Sequence, residues 1–118
     1  MNLTGGPYKH RHYRARLDVV FTNKNVTCQY RAVGHPIAVA LTEGIVDKAA
    51  GAVGMDPAEF RRRNLAPDDA YPRTYLSGAT FEKLSQQASL ELLLEKMRYS
   101  ELRAEQAALR RQGVYRGI

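Results

Sequence analysis

Residues 22–65 read TNKNVTCQYRAVGHPIAVALTEGIVDKAAGAVGMDPAEFRRRNL, and the expected architecture follows from this stretch. Its polar, extended start leads into a compact glycine-containing turn over residues 29–36. Pro36 then opens a helix, because a proline without a backbone N–H is well tolerated in a first helical turn. Gly54 ends this helix, and Asp56 is a favourable cap for a second, short helix. The stretch therefore predicts a turn held between an extended segment and a helix N-terminus.

The first helix carries an apolar stripe at helical spacing, which is expected to face the core. The stripe consists of Ile37, Ala40, Leu41, Gly44, Ile45, Ala49 and Ala52. A glycine inside a helix weakens it by about 1 kcal/mol relative to alanine. We therefore interpret Gly44 as a point where a neighbouring element packs closely against the helix. In the second helix, Glu59 is placed to complete a reciprocal cap with Asp56, and Phe60 and Leu65 are the expected buried anchors.

Residues 13–22 alternate between apolar and polar side chains. Ala15, Leu17, Val19 and Phe21 point one way, while Arg14, Arg16, Asp18 and Thr22 point the other. This period of two predicts a half-buried strand with a charged outer face. Beyond Leu65 we expect a loop with a short strand over residues 73–76. A helix starting at Ser85 or Ser89 follows, and then a last helix that Ser100 caps and Gly113 ends. The predicted class is α+β and helix-dominated, with one long N-terminal strand, short strands and about four helices.

The chain of 118 residues has the length of one domain, since compact domains usually hold about 100–150 residues. Residues 1–118 are accordingly treated as a single domain. Cys28 is the only cysteine, which excludes an internal disulfide and a multi-cysteine iron–sulfur site within these residues. There is no apolar run near the roughly 20 residues of a membrane helix. The N-terminal residues also lack the apolar core of a secretion signal. We expect a cytoplasmic location and no membrane partner.

Basic residues are concentrated in residues 1–35, where six lysines and arginines stand against Asp18 alone. Nearly all of the chain's net charge of +6 therefore lies in this part. A basic segment attracts nucleic acid, an anionic membrane, an acidic partner or an anionic cofactor. Nucleic acid is not expected, because the basic strand has no interleaved exposed aromatics and the chain has no known nucleic-acid-binding signature. A solvated basic strand face is the simplest interpretation.

The turn and the two helices together resemble the molybdenum-cofactor-binding large subunit of the xanthine dehydrogenase, aldehyde oxidase and carbon monoxide dehydrogenase family. That family carries a TN…(G/A)-(Y/F)-R-G-x-G-x-P turn, then a helix and an LGMDP-x-E-x-R-x-x-N segment. Further short matches occur in the same order, namely LTGGPYK at residues 3–9, YLSG at residues 75–78, YSELR at residues 99–103 and YRGI at residues 115–118. The resemblance covers most of the chain. It implies an internal fragment of a larger molybdopterin-binding domain, so residues 1–118 would be a partial domain.

The resemblance implies a role for each residue of the turn. Gln29, Tyr30, Arg31 and Ala32 would contact the molybdenum pyranopterin, largely through main-chain amides, and Val33, Gly34 and His35 would face the substrate. Such a geometry suits the cofactor, because anions and acceptor groups are held by N–H groups of tight turns and helix N-termini. For His35 the alternative is a turn histidine that bonds its own backbone. Ala32 replaces the cysteine that carbon monoxide dehydrogenases use to bridge molybdenum and copper, so oxidation of carbon monoxide is not expected.

The resemblance implies that the intact enzyme hydroxylates a carbon of an aldehyde or an N-heterocycle with water as the oxygen source. Electrons would leave through iron–sulfur clusters to FAD on partner subunits or domains. The family's general base lies in a G-V-G-E motif that this sequence lacks. No residue here is therefore assigned a catalytic or metal-binding role, and the chain alone is expected to be inactive.

The expected partners are the remainder of the molybdenum subunit and the iron–sulfur and flavin subunits. In isolation the chain would have a strand edge and leucine-rich faces without a partner, which favours a homo-oligomer. The competing interpretation is a free-standing basic binding or oligomerisation module without catalysis. Concentration-dependent helicity would indicate the oligomer, and strongly salt-dependent binding to nucleic acid would indicate the binding module.

Overall fold

The computed structural model describes residues 4–25, 28–29 and 31–118. Four helices account for most of its regular structure, namely α1 (His35–Ala52), α2 (Pro57–Asn64), α3 (Gln86–Lys96) and α4 (Tyr99–Arg111). Two short strands, β1 (Arg73–Thr74) and β2 (Thr80–Phe81), pair antiparallel with Arg73 opposite Phe81 and Thr74 opposite Thr80. The fold is therefore helix-rich with a small two-stranded sheet. The predicted helix-dominated class is confirmed, but the long N-terminal strand is not.

The signals at the start of α1 and α2 act as the sequence predicts. α1 has a proline in its first turn, and Gly34 is its N-cap residue without a side-chain cap. At α2 the Asp56 carboxylate accepts hydrogen bonds from Ala58 N at 2.9 Å and Glu59 N at 3.2 Å. The reciprocal half of that cap is not formed, because the Glu59 carboxylate accepts instead from Arg63 Nε at 2.7 Å. Capping by a single side chain is sufficient to start this short helix.

The core is small and joins the N-terminal residues to α1 and α2. Tyr8, Val46 and Leu65 form its buried centre, with Phe60 and Leu90 packed against it. An isolated antiparallel bridge holds Tyr8 beside Leu65. Its backbone bonds run from Lys9 N to Asn64 O at 2.8 Å and from Ala66 N to Pro7 O at 2.9 Å. The GGPY turn is thereby fastened across the end of α2, and the predicted anchors of α2 do lie in or against the core.

The face that α1 buries differs from the predicted stripe. Its buried residues are Ala38, Val46 and Ala50. Three large members of the predicted stripe, Ile37, Leu41 and Ile45, are exposed instead. α1 is apolar around most of its circumference, so its periodicity cannot select the core side. We expected a neighbouring element to pack closely against Gly44, and among the described residues this is wrong. A Cβ placed at Gly44 would meet no described atom within 4 Å.

The predicted strand over residues 13–22 is not formed. No backbone–backbone hydrogen bond joins residues 11–25 to any other described residue. Leu17, Val19 and Phe21, which the pattern assigns to a buried face, are exposed, and Phe21 reaches 108%. A strand requires a neighbour that accepts and donates along its backbone. The alternating pattern is present, but the described residues contain no strand that pairs with it.

The second half of the chain is attached through polar contacts in addition to the packing of Leu90 against the core. Arg62 makes a two-pronged bond to Glu91 of α3, at 2.6 Å and 2.9 Å. Asp56 accepts from Tyr99 OH at 3.0 Å and pairs with Arg103 Nε at 3.0 Å, which joins α4 to the start of α2.

The starts of α3 and α4 correct the predicted serine caps. α3 does begin after Ser85, but its first N–H groups donate to the carboxylate of Asp68, at 3.0 Å from Gln87 N and from Ala88 N. α4 begins at Tyr99, with the left-handed Arg98 at the N-cap position two residues before the predicted cap Ser100. Within the described ranges, none of the helices has both the length and the apolar character that crossing a bilayer requires.

Candidate cofactor-contacting turn

Residues 28–35, here called the α1 turn, connect the N-terminal segment to α1. Its described residues are exposed, except for the half-buried Gly34. His35 N donates to Ala32 O at 2.9 Å and closes the turn, and Ala38 N donates to Gly34 O at 2.9 Å and starts the helical ladder. The sequence-based site residues other than Tyr30 are thus brought together in one exposed turn at the N-terminus of α1. Tyr30 lies outside the described residues.

Two consecutive residues of the α1 turn have left-handed backbone, with φ of 65° at Ala32 and 50° at Val33. This region is rare for residues with a side chain and is rarest for β-branched ones such as valine. Each such residue costs about 1–3 kcal/mol, and such strain clusters at ligand sites where surrounding structure enforces it. The R-G-x-G motif of the resembling subunits has glycine at the position of Ala32. In this chain Ala32 therefore adopts the left-handed backbone that suits glycine, although it carries a side chain.

The donors of the α1 turn suit an anionic or acceptor-rich group. α1 has 18 residues, no side-chain cap at its N-terminus and no acidic residue in its first turn. His35 N and Ala38 N already donate within the chain and Pro36 has no N–H, so it is chiefly the helix dipole that favours negative charge at this end. Exposed Gln29 and Arg31 add an amide and a guanidinium, both of which donate hydrogen bonds. This donor set fits the oxo, dithiolene and phosphate groups of a molybdenum pyranopterin.

A polar network holds α1 in place behind this turn, and sequence reasoning missed one of its members, Tyr8. Tyr8 OH lies 2.9 Å from both carboxylate oxygens of Glu43, and Arg61 Nε donates to Glu43 Oε2 at 2.9 Å. Arg61 also donates from NH1 to Asp47 Oδ1 at 2.7 Å. The carboxylates at i and i+4 of α1 and the arginine run of α2 were visible signals for part of this network. No local pattern indicates that Tyr8 joins it.

The pKa values of Tyr8 and Arg61 are both raised in this network. Tyr8 therefore keeps its hydroxyl proton, and Arg61 keeps its positive charge. Burial and the adjacent Glu43 carboxylate raise the pKa of the Tyr8 phenol, so it remains a hydrogen-bond donor. Burial alone would lower the pKa of Arg61, but its bonds to Asp47 and Glu43 outweigh this and raise it. The two carboxylates of α1 are therefore structural partners of Arg61, and neither faces the α1 turn as an acid or base.

A cavity of about 490 Å³ lies beside the network and is separate from the α1 turn. Its described lining includes Tyr13, Leu41, Ile45 and His10, but no residue of the α1 turn. His10 Nε2 is buried and has no hydrogen-bond partner among the described residues. Gly5 covers the ring so closely that a Cβ there would lie 2.8 Å from His10 Cε1. Close packing by Gly5 thus contributes to the burial of this nitrogen.

The α1 turn is thus a strained turn with hydrogen-bond donors, and it leads into a helix N-terminus that has no side-chain cap. Comparison with known proteins gives the family. Residues 1–65 match the family model of the molybdopterin cofactor-binding domain. Because the match covers more than half of the 118 residues, the chain belongs to this family.

Individual relatives agree with the family match. The chain is 42% identical over 69 residues to the 6-hydroxypseudooxynicotine dehydrogenase complex subunit gamma of Paenarthrobacter nicotinovorans, covering 58% of this chain and 9% of that protein. It is 33% identical over 96 residues to the carbon monoxide dehydrogenase large chain of Hydrogenophaga pseudoflava, covering 77% of this chain and 12% of that protein. The crystal structure of quinoline 2-oxidoreductase from Pseudomonas putida 86 superposes with a TM-score of 0.57 at 33% identity, covering 71% of this chain and 11% of that one.

These findings confirm the resemblance seen in the sequence. The chain belongs with molybdenum-containing oxidoreductases of the xanthine dehydrogenase family, and the expected cofactor, a molybdenum pyranopterin, is that of the matched domain. The chain spans about a tenth of the length of the curated relatives it matches.

Proposed function

We propose that this chain contributes the α1 turn to the cofactor site of a molybdenum hydroxylase. The observation that carries the proposal is the pair of left-handed residues, Ala32 and Val33, in an exposed turn at an uncapped helix N-terminus. This turn lies inside the residues that match the molybdopterin cofactor-binding domain. Strained backbone that presents main-chain donors to an anionic group is a common arrangement at cofactor sites.

The role of each residue follows its place in the turn. Gln29, Tyr30, Arg31 and Ala32 bind the pyranopterin through main-chain amides, the Gln29 amide and the Arg31 guanidinium. Val33, Gly34 and His35 lie on the substrate side. Val33 provides an apolar surface there, and His35 provides a ring nitrogen for a hydrogen bond. When bound, the molybdenum centre supplies the chemistry that transfers oxygen from water to carbon, while these residues bind and orient.

The whole enzyme hydroxylates a carbon of an aldehyde or an N-heterocycle, and its electrons leave through iron–sulfur clusters to FAD on other subunits. Quinoline 2-oxidoreductase is named for an N-heterocycle, which supports this class. The partners of this chain are the remainder of a molybdenum subunit and the iron–sulfur and flavin subunits. The chain has no catalytic activity by itself, because the G-V-G-E motif of the family's general base is missing from its sequence.

Transplantation into the quinoline enzyme tests the proposal. Residues 28–36 of this chain replace the aligned residues of quinoline 2-oxidoreductase, and molybdenum and pterin are measured per subunit after purification. We expect the chimera to retain both. Arg31→Glu and Ala32→Asp in the chimera should remove most of both, because each places a carboxylate against an anionic cofactor. A longer graft of residues 24–36 that carries Lys24→Glu, outside the turn, is the matched charge-reversal control and should retain both. Equal cofactor content in all variants would overturn the assignment of the turn.

A further inference from the structure

Two consecutive residues of α1 are bonded to the GGPY turn, residues 5–8. Gly5 N donates to Thr42 Oγ1 at 3.1 Å, and Tyr8 OH lies 2.9 Å from both carboxylate oxygens of Glu43. Thr42 and Glu43 are half-buried. Because successive residues of a helix point about 100° apart, two such contacts together fix the rotation of α1 about its own axis.

The GGPY turn is itself held in place on its other side. Lys9 N donates to Asn64 O at 2.8 Å, and Ala66 N donates to Pro7 O at 2.9 Å, so the turn is bonded to the end of α2. The bonds of Thr42 and Glu43 to this turn therefore define one setting of α1 relative to α2.

Apolar packing alone leaves a second setting of α1 open. Each residue in the row of α1 that faces the core and the GGPY turn is preceded by a larger apolar residue. Ile37, Leu41 and Ile45 precede Ala38, Thr42 and Val46. A screw movement of α1 by one residue, about 100° and about 1.5 Å, would exchange the two rows. Burial of apolar area does not oppose this movement, because the isoleucine and leucine side chains carry more apolar area.

The polar contacts of α1 do oppose the movement. After it, Leu41 would face Gly5 N and offer no acceptor, and the shorter, uncharged Thr42 would face Tyr8 and Arg61. A partly buried donor that loses its acceptor destabilises a fold by more than an ordinary hydrogen bond stabilises it. Buried polar side chains set the register of packed helices in coiled coils for the same reason.

We propose that Thr42 and Glu43 are positioning residues, which set the register of α1 and thereby the direction in which the α1 turn presents its donors. This role rests on the proposed cofactor contact of the α1 turn. The turn leads directly into α1, so a movement by one residue would rotate it by about 100° and displace it by about 1.5 Å. Binding groups have to be held within roughly 0.5 Å and 10–20° of their productive geometry, so this movement would remove the contact.

A permutation of three neighbouring residues tests the register in the full 118-residue chain. The variant Leu41→Thr, Thr42→Glu, Glu43→Leu has the natural composition but carries both polar side chains one position nearer the N-terminus. We expect α1 to move by one residue, because the GGPY turn then regains both of its acceptors.

Nuclear Overhauser effects between methyl groups report this register. Leu65 should show them to Val46 in the natural chain, since both belong to one core, and to Ile45 in the permuted chain. Val39→Ala combined with Ala40→Val exchanges two exposed neighbours on α1 and should keep the natural pattern as the composition-matched control. A permuted chain that keeps the contacts of Val46 overturns the proposal, because packing would then set the register.

A single substitution decides the question even where the permuted chain fails to fold. Thr42→Val removes the acceptor of Gly5 N with little change in size, so α1 should exchange between the two settings. Helix register shifts occur within microseconds to milliseconds, and relaxation dispersion at the Val46 methyl groups detects them. Thr74→Val removes a hydroxyl bonded to Thr80 at 2.9 Å and is the control with a flat profile. A flat profile for Thr42→Val overturns the proposal.

Cofactor content tests the positioning role separately from the register. Residues 4–65 of this chain replace the aligned residues of quinoline 2-oxidoreductase, and molybdenum and pterin are measured per subunit. Thr42→Val should lower both by about fivefold, as expected for one lost hydrogen bond, and Thr42→Ser, which keeps the hydroxyl, should retain both. Full cofactor content in Thr42→Val overturns the positioning role. Arg31→Glu in the same graft shows independently whether the α1 turn binds the cofactor.

Discussion

Arg61 of α2 donates from Nε to Glu43 Oε2 of α1 at 2.9 Å, and the same carboxylate lies 2.9 Å from the hydroxyl of Tyr8. One carboxylate therefore joins three parts of the chain, namely the GGPY turn, α1 and α2. The Arg61 side chain is only 18% exposed, so it depends on protein partners more than a surface arginine does. Together with the packing of Val46 against Tyr8 and Leu65, this contact holds α1, and with it the α1 turn, against the rest of the chain.

Replacement of Glu43 by glutamine should destabilise the chain by about 1–2 kcal/mol, because a partly buried arginine and a tyrosine lose a charged acceptor. Asp47 keeps one bond to Arg61, which limits the loss. Arg63→Gln removes an exposed ion pair with Glu59 on the same helix and should cost less than about 0.5 kcal/mol. Urea unfolding followed by circular dichroism measures both. Equal losses in the two variants would refute the central role of Glu43.

Asp56 should make stability depend on pH in the acid range. Burial alone would raise the pKa of Asp56. The bonds from Glu59 N, Tyr99 OH, Ala58 N and Arg103 outweigh burial and lower the pKa below its ordinary value of 3.8. Because its pKa is lower in the folded state than in the unfolded state, the Asp56 carboxylate stabilises the folded chain at pH values above 3.8. This contribution is lost as the pH falls through the folded-state pKa. Unfolding free energies of the natural chain should therefore decrease in that window.

Two variants separate the charge of Asp56 from its capping role. Asp56→Asn keeps a capping side chain but has no charge to titrate, so its stability should vary less with acid pH than that of the natural chain. Asp56→Ala removes the cap as well and should lose about 1 kcal/mol more at neutral pH. Urea unfolding across the acid range and at neutral pH distinguishes them. An Asn variant with the same acid profile as the natural chain would rule out this assignment.

Gly5 and Gly78 form a matched pair for testing the packing around His10. Both have positive φ, at +89° and +86°, so alanine is strained by about 1–2 kcal/mol at either position. Only at Gly5 would the new Cβ also meet the His10 ring, at 2.8 Å from Cε1, whereas at Gly78 it would enter open space. Gly5→Ala should therefore destabilise the chain more than Gly78→Ala in thermal unfolding. Identical losses would mean that the ring moves aside without cost.

Features coded by neighbouring residues could be predicted from the sequence, and features that depend on distant contacts could not. Proline at position 36 and aspartate at position 56 mark the starts of α1 and α2, because caps act within one turn. The buried side of α1 was mispredicted because the exposed Ile37, Leu41 and Ile45 form an apolar stripe beside the one that buries Ala38, Val46 and Ala50. Residues 13–22 have a strand pattern, but pairing also requires a second strand, and no pattern within one segment supplies it.

The location of the candidate site was predictable, while its strain was not. The residues of the α1 turn were identified from a short motif and from the proline that follows it. Nothing in that motif predicts left-handed backbone at Val33, since β-branched residues avoid this region. The polar network was predictable in part, because Asp47 and the arginines of α2 are evident as charges. Its tyrosine belongs to a turn 35 residues away, and contacts over such separations are not visible in local patterns.

Because Ala32 is strained, its replacement by glycine should increase the stability of the chain. Ala32→Gly relieves a left-handed residue, which is worth about 1–2 kcal/mol. It also adds about 0.5–1 kcal/mol of unfolded-state entropy, so the net gain should be about 0.5–1 kcal/mol. Ala40→Gly is the matched control in the middle of α1 and should lose about 1 kcal/mol instead, because its backbone is already helical. Urea unfolding of the two variants should therefore move in opposite directions, and a destabilised Ala32→Gly would show that the turn is not strained at this residue.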